Sequence, residues 1–256
     1  MSFEKLRKFN LIMGLFHLLQ GSFMLLAALF IDQISNFKPV IQTNFLMFDE
    51  TSMRLVSNNQ ELFKLPFGIL VASFLLLSAL AHFIIVIPRF NKIYNKDLEN
   101  NINRFRWFEY MISSSLMIVL IATLFGVFDF GALILIFGIN AVMNLLGYLM
   151  EVLNKYTDKT KWSPFVIGSI AGIIPWIVVT LYAFGNADPS EVPFFVYIIF
   201  GSYFVFFNLF PINMILQYKK IGKWKDYIYG ERTYIVLSLV SKSLLAWLVF
   251  GGVMQP

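Results

Sequence analysis

Cysteine is absent from the 256 residues, which removes disulfide stapling, thiol catalysis and thiolate metal sites at once. Charge is scarce: 14% of residues are Asp, Glu, Lys or Arg, against 58% hydrophobic, and the mean hydropathy is +0.72. A soluble domain needs a polar face for water, and this composition cannot supply one. There is no internal repeat, low-complexity tail or soluble segment, so residues 1–256 read as one membrane-embedded domain. The formal charge of +5 does not signal nucleic acid, because Lys and Arg fall in short loops between apolar runs, where membrane topology accounts for them.

Seven apolar runs are long enough to cross a bilayer as helices: residues 9–31, 65–87, 105–127, 130–150, 164–184, 192–216 and 233–253. The first follows Lys5, Arg7 and Lys8 but is longer than the ~7–15-residue apolar core of a cleavable signal, and it contains His17 and Gln20. The connections at 128–129 and 185–191 are short, so the helices they join are antiparallel neighbours. Residues 32–64 turn polar and mix in β-branched residues (Pro39-Val-Ile-Gln-Thr-Asn-Phe45), a long loop with room for a small β-hairpin. The expected fold is an all-α bundle of seven transmembrane helices. Lys and Arg number sixteen on the N-terminal side of the membrane and three on the other. By the positive-inside rule the N-terminus is cytoplasmic and the C-terminus extracellular, in a multi-pass protein of the cell membrane.

The last span carries one ionisable residue near its middle, Lys242. Eleven residues separate it from Glu231 at the start of the helix, which puts its amine roughly 16 Å inside the membrane boundary. From that depth the stem is too short to snorkel easily, so the amine is neutral, paired or modified. Glu109 is the only carboxylate that reads as lying well inside a span; Asp129 falls in a turn and Glu151 at a helix end. On the expected orientation His17, His82, Glu109 and Lys242 all lie in the cytoplasmic half. Each has a polar neighbour on its own helix face: Gln20, Ser78, Ser113 and Ser238 respectively. Together they predict a hydrated polar cavity. A histidine in a bundle is commonly just a hydrogen-bonded structural residue. No HxxxH pair or third ligand supports zinc, so no metal is expected.

A primary amine in a dry pocket attacks an aldehyde to form a Schiff base, and the protonated product needs an anion, for which Glu109 is the available group. The interior offers aromatics and flexible Met for a long apolar remainder. Met117, Met143, Phe204, Phe207 and Trp247 are candidate channel residues, with Pro175 and Pro211 positioned to kink two helices. Retinal is the leading candidate for that aldehyde.

Six stretches in order then resemble the heliorhodopsins across almost the whole chain. They are Phe9-Asn-Leu-Ile-Met-Gly-Leu-Phe-His-Leu-Leu-Gln20, Leu77-Ser-Ala-Leu-Ala-His82, Phe105-Arg-Trp-Phe-Glu-Tyr110 with Ser113-Ser-Ser115, Ile136-Phe-Gly-Ile-Asn140, Gly172-Ile-Ile-Pro-Trp176, and the run from Gly230 to Lys242. The resemblance implies all-trans retinal on Lys242, Glu109 as counterion, and His17 and His82 in a polar cavity to which Tyr110 and Ser114 are also assigned. It implies a cytoplasmic N-terminus, a homodimer, and a small sheet in the first extracellular loop. It places retinal contacts at Met117, Asn140, Met143, Pro175 and Phe207.

A proton pump needs an acceptor and a donor on opposite sides of the reacting nitrogen. One span carboxylate, with Ser238 one turn before the lysine, argues against pumping. The expected function is light sensing, not enzymatic, with an unidentified cytoplasmic signalling partner. The run Lys219-Lys-Ile-Gly-Lys-Trp-Lys225 suits anionic membrane lipid or an acidic partner. The alternatives are a light-gated proton or ion channel, and a retinal-free membrane enzyme or transporter using Glu109 and the histidines.

Overall fold

The computed structural model describes residues 2–185 and 194–254. The elements run α1 (Phe3–Phe30), α2 (Asp32–Asn36), β1 (Val40–Asp49), β2 (Arg54–Lys64), α3 (Phe67–Val86), α4 (Pro88–Glu99), α5 (Arg104–Leu124), α6 (Phe130–Asn154), α7 (Ser163–Phe184), α8 (Phe194–Tyr218) and α9 (Tyr227–Val253), with a 3-10 turn at Gly222–Lys225 before α9. Among the described residues, seven helices, all but α2 and α4, are long and apolar enough to cross a membrane. The fold is the expected seven-helix bundle with a small sheet. The expected 185–191 connection, from 186 on, and the first two residues of the 192–216 span lie outside the described residues.

Local chemistry sets the helix starts. Ser2, Asn103, Asp129 and Asp226 each accept a hydrogen bond from a first-turn backbone N–H of α1, α5, α6 and α9. Pro88 and Pro164 sit where a missing N–H costs nothing, at the starts of α4 and α7. Helix α5 stops at Leu124, short of the expected 127, and Gly126 follows with φ +93°, a conformation that favours glycine. Two differences from the sequence reading have a common cause. Residues 88–99 form α4 rather than loop, because Tyr94, Asp97 and Leu98 fall on one buried face while Arg89, Lys92 and Lys96 are exposed. Helix α9 begins at Tyr227 rather than 233, so its early charges lie inside the helix instead of ahead of it.

Strands β1 and β2 pair antiparallel, with an irregularity at Ile41/Gln42. The hairpin is tied to the bundle at the α5–α6 turn. The Gln42 N–H donates to Phe128 O at 3.0 Å, and the Thr43 hydroxyl donates to Asp129 Oδ2 at 3.0 Å.

Helix α3 is the hub, packed against α1, α5 and α9, while α5, α6 and α7 form a second row and α8 leans on α9. Small residues let α1 and α3 approach closely. A Cβ at Gly21 would lie 2.8 Å from Leu76 Cδ2, and one at Gly14 would lie 3.0 Å from His82 Cβ. This approach holds His17 and His82 in register. The expected result of Gly21→Leu is a loss of about 1–3 kcal/mol of stability from overpacking, read as a lower melting temperature in detergent.

Candidate functional site

Lys242 comes from α9, Glu109 from α5 and Ser78 from α3, and the packing around α3 brings all three together. The Lys242 amine donates to Glu109 Oε1 at 2.6 Å and to the Ser78 hydroxyl at 2.5 Å; Ser78 in turn donates to the same carboxylate oxygen at 2.7 Å. Lys242 is 2% exposed, so its charge is met by these groups and not by solvent. The Tyr110 ring centroid lies 5.3 Å from the amine, within cation–π range.

On the side of this pair toward the N-terminal segment lie the histidines. The His17 and His82 rings stack at 5.6 Å. His82 Nδ1 is 2.8 Å from Asn10 Oδ1, and the Asn10 amide nitrogen donates to Leu6 O at 3.0 Å. That second bond orients the amide, so the oxygen faces the ring and Nδ1 carries the proton. Nε2 is then left as the site able to accept one. His17 is fully buried, and among the described residues neither of its ring nitrogens has a hydrogen-bond partner. A small cavity of about 30 Å³, room for a water or two, is lined by Asn10, Ser78, His82, Glu109, Tyr110 and Ser238. Ser113 is buried one turn past Glu109. One correction concerns the residues expected in the polar cavity, of which His17, Ser113 and Gln20 do not line it: His17 and Ser113 are buried beside it, and Gln20 is partly exposed, carried about 4.5 Å along α1 past His17.

On the other side of Lys242 is a larger cavity of about 290 Å³, lined by Met117, Met143, Phe204, Phe207, Ser114 and the lysine itself. Trp107, Trp176, Phe210, Met214 and Tyr234 line it as well, and the sequence reading assigned none of these. Pro175 is buried within α7, but its neighbour Trp176 faces the cavity. Asn140 lies behind the wall, donating to the Ser114 and Ser115 hydroxyls at 2.9 and 3.0 Å. Trp247 is the second correction. Five residues past Lys242 is about 140° around the helix, so the indole is half exposed and packs on Phe23, 5.5 Å away, outside the cavity.

A family model described as Heliorhodopsin matches residues 6–254. The chain belongs to the heliorhodopsin family. No curated protein matches it. Membership makes this a multi-pass membrane protein and a light-sensing rhodopsin of the retinal type. The family is in general one of photoreceptors rather than enzymes, and its chromophore is retinal.

The residues fit that chromophore. A buried amine opens onto an apolar cavity walled by aromatics and Met, and Gly172 leaves space that a Cβ could not share with the Met143 sulfur. Among the described residues no carboxylate lines this larger cavity, whereas Glu109 and Glu231 line the smaller one.

The heliorhodopsin site also includes a group that sequence reasoning placed at helix ends. Arg106 forms ion pairs with both Glu151 and Glu231, and all three are buried. Glu151 further accepts from Asn103 N–H at 2.8 Å, the Trp107 indole at 2.6 Å and the Tyr227 hydroxyl at 3.1 Å. Helical periodicity could have found two of them. Eleven residues make three turns plus about 20°, so Glu231 shares a face with Lys242, and Arg106 is one turn from Glu109.

The Asn10 arrangement has a direct test. Nitrogen NMR of ¹⁵N-histidine protein is expected to show His82 in the Nδ1–H tautomer, and Asn10→Ala is expected to release that preference. An Nε2–H tautomer in the parent protein would contradict the amide orientation.

Proposed function

We propose that the protein senses light through all-trans retinal held on Lys242 as a protonated Schiff base, with Glu109 as counterion, and that it moves no ions across the membrane. The observation that carries this reading is the buried Lys242–Glu109 pair at 2.6 Å, opening onto the apolar cavity. Bound retinal supplies light absorption and a light-driven change of shape. The chain's own residues do the rest.

Glu109 holds the positive charge at the Lys242 nitrogen, and Ser78 braces both partners. When the nitrogen gives up its proton, the groups positioned to take it are on one side: Glu109 itself, then the small cavity with His82, whose Nε2 is free to accept, and His17, whose nitrogens lack hydrogen-bond partners among the described residues. A pump requires a donor on the opposite side, and among the described residues the lining of the larger cavity offers no acid there. The proton therefore leaves and returns on the same side.

The charge asymmetry supports a cytoplasmic N-terminus, which puts the histidine cavity and the Lys219–Lys225 loop on the cytoplasmic half, the side from which a partner would read the light state. The hairpin is then extracellular. Its exposed Phe45, Leu46 and Phe48 offer apolar surface to a second copy in a homodimer.

Protein purified with all-trans retinal is expected to show a visible band that bleaches with hydroxylamine under light, and Lys242→Ala is expected to form no pigment. A colourless parent protein would discard the reading in favour of an enzyme or transporter built on Glu109 and the histidines. A steady light-driven current would replace the sensor with a channel or pump. Glu109→Gln is expected to lower the proton affinity of the Lys242 nitrogen and shift the band, measured by titrating the spectrum with pH; an unchanged spectrum would remove Glu109 from the counterion role.

A further inference from the structure

Charge does not balance in the cluster around Arg106. One guanidinium serves two carboxylates, Glu151 and Glu231, each 1% exposed. Among the described residues the other groups bonded to this pair are neutral: Tyr94 from α4, Asn103 at the cap of α5, Trp107 from α5, and Tyr227 from the start of α9. Tyr218, from α8, lies beyond and donates to a backbone carbonyl. Two ionised carboxylates here would leave a net negative charge buried away from bulk water, which costs more than retaining one proton.

Hydrogen-bond donors decide which carboxylate retains it. Glu151 accepts from a backbone N–H, an indole N–H and the guanidinium, three groups that can only donate, as well as from the Tyr227 hydroxyl, whereas Glu231 has two donor-only partners. It is the ionised member. Glu231 accepts from Arg106 through Oε2 and from the Asn103 amide at 2.6 Å through Oε1. Its remaining neighbour is the Tyr94 hydroxyl, 3.2 Å from Oε1. A hydroxyl can turn and accept, so it suits a protonated acid.

A second, independent feature links this acid to the lysine. The small cavity lined by Glu109, Ser78 and His82 is also lined by Glu231 and Arg106. Arg106 Nε is buried and has no hydrogen-bond partner among the described residues, as a group facing a water site would be. Along α9, Glu231, Ser238 and Lys242 fall on one stripe, and Ser238 lines the cavity between the other two.

We propose that Glu231 is a buried proton-storage site, protonated in the dark, that exchanges its proton with Glu109 through water in this cavity. The proposal rests on the light-sensing reading for its exchange step but not for the stored proton. In the exchange, the Glu231 O–H bond breaks and its proton passes to a cavity water. That water releases one of its own protons to Glu109, which hands it to the Lys242 nitrogen. Glu231, then a carboxylate, is refilled by the proton that had moved to the histidine side. One proton is lost and one gained, all within the protein.

The stored proton is tested by carbon NMR of the full chain carrying ¹³C-labelled glutamate side chains. The expected spectrum contains a protonated-acid carboxyl resonance that disappears in Glu231→Gln and moves in Tyr94→Phe, the second variant keeping the test open if the first does not fold. A carboxylate position for Glu231 in the parent protein would overturn the proposal. The exchange is tested by flash absorption on the retinal-loaded protein, where recovery of the dark band is expected to slow about tenfold or more in Glu231→Gln. Unchanged recovery in both variants would overturn the exchange. A colourless protein that still shows the acid resonance would overturn the light-sensing reading while upholding the stored proton.

Discussion

Everything in this molecule depends on placing two opposite charges, Lys242 and Glu109, inside the bundle and away from bulk water. Removing an ion from water costs several kcal/mol even after relaxation, and mutual attraction offsets that only in good geometry with further hydrogen bonds. The geometry is supplied by three helices at once: the amine from α9, the carboxylate from α5 and the Ser78 hydroxyl from α3, at 2.5–2.7 Å from one another. An error of one residue in the register of any of them would leave an unpaired charge in the core. The close α1–α3 contact at Gly14 and Gly21, and the anchoring of α3 between α1, α5 and α9, are therefore part of the site.

The surroundings of this pair are sharply asymmetric. One side is polar and nearly filled, with the stacked histidines, a cavity of about 30 Å³ and the Arg106–Glu151–Glu231 cluster beyond it. The other side is a cavity of about 290 Å³ walled by Met and aromatic side chains. An apolar chromophore and a mobile proton have opposite requirements for their surroundings, and the lysine sits at the boundary between them. The proposed confinement of proton movement to one side rests on that placement.

Much of this was legible in the linear chain. Seven apolar runs, the hairpin in residues 32–64 and the inward lysine and glutamate follow from hydropathy, β-branched composition and the cost of burying charge. What misled was treating a charged residue near the end of an apolar run as a boundary marker. Glu151, Glu231 and Arg106 look like charges that stop a span, yet they lie within helices and satisfy one another. The same habit hid α4, whose buried Tyr94 and Leu98 recur at helical spacing inside a stretch that reads as polar loop. Trp247 failed for a different reason: an aromatic close in sequence to the lysine is not close in direction, and five residues turned it to the outer face.

The sequence by itself determined that the chain crosses a membrane seven times and carries a lysine that must be paired or modified, because hydrophobic length and charge burial are local properties of each segment. It also determined the family, through stretches spread from α1 to α9. Only the tertiary structure decided which groups meet: that Ser78 braces the ion pair, that Asn10 faces His82 Nδ1, and that one arginine is shared between two glutamates. Those contacts join residues up to 164 positions apart, as Lys242 and Ser78 are. They depend on the relative rotation and depth of packed helices, which no single segment encodes.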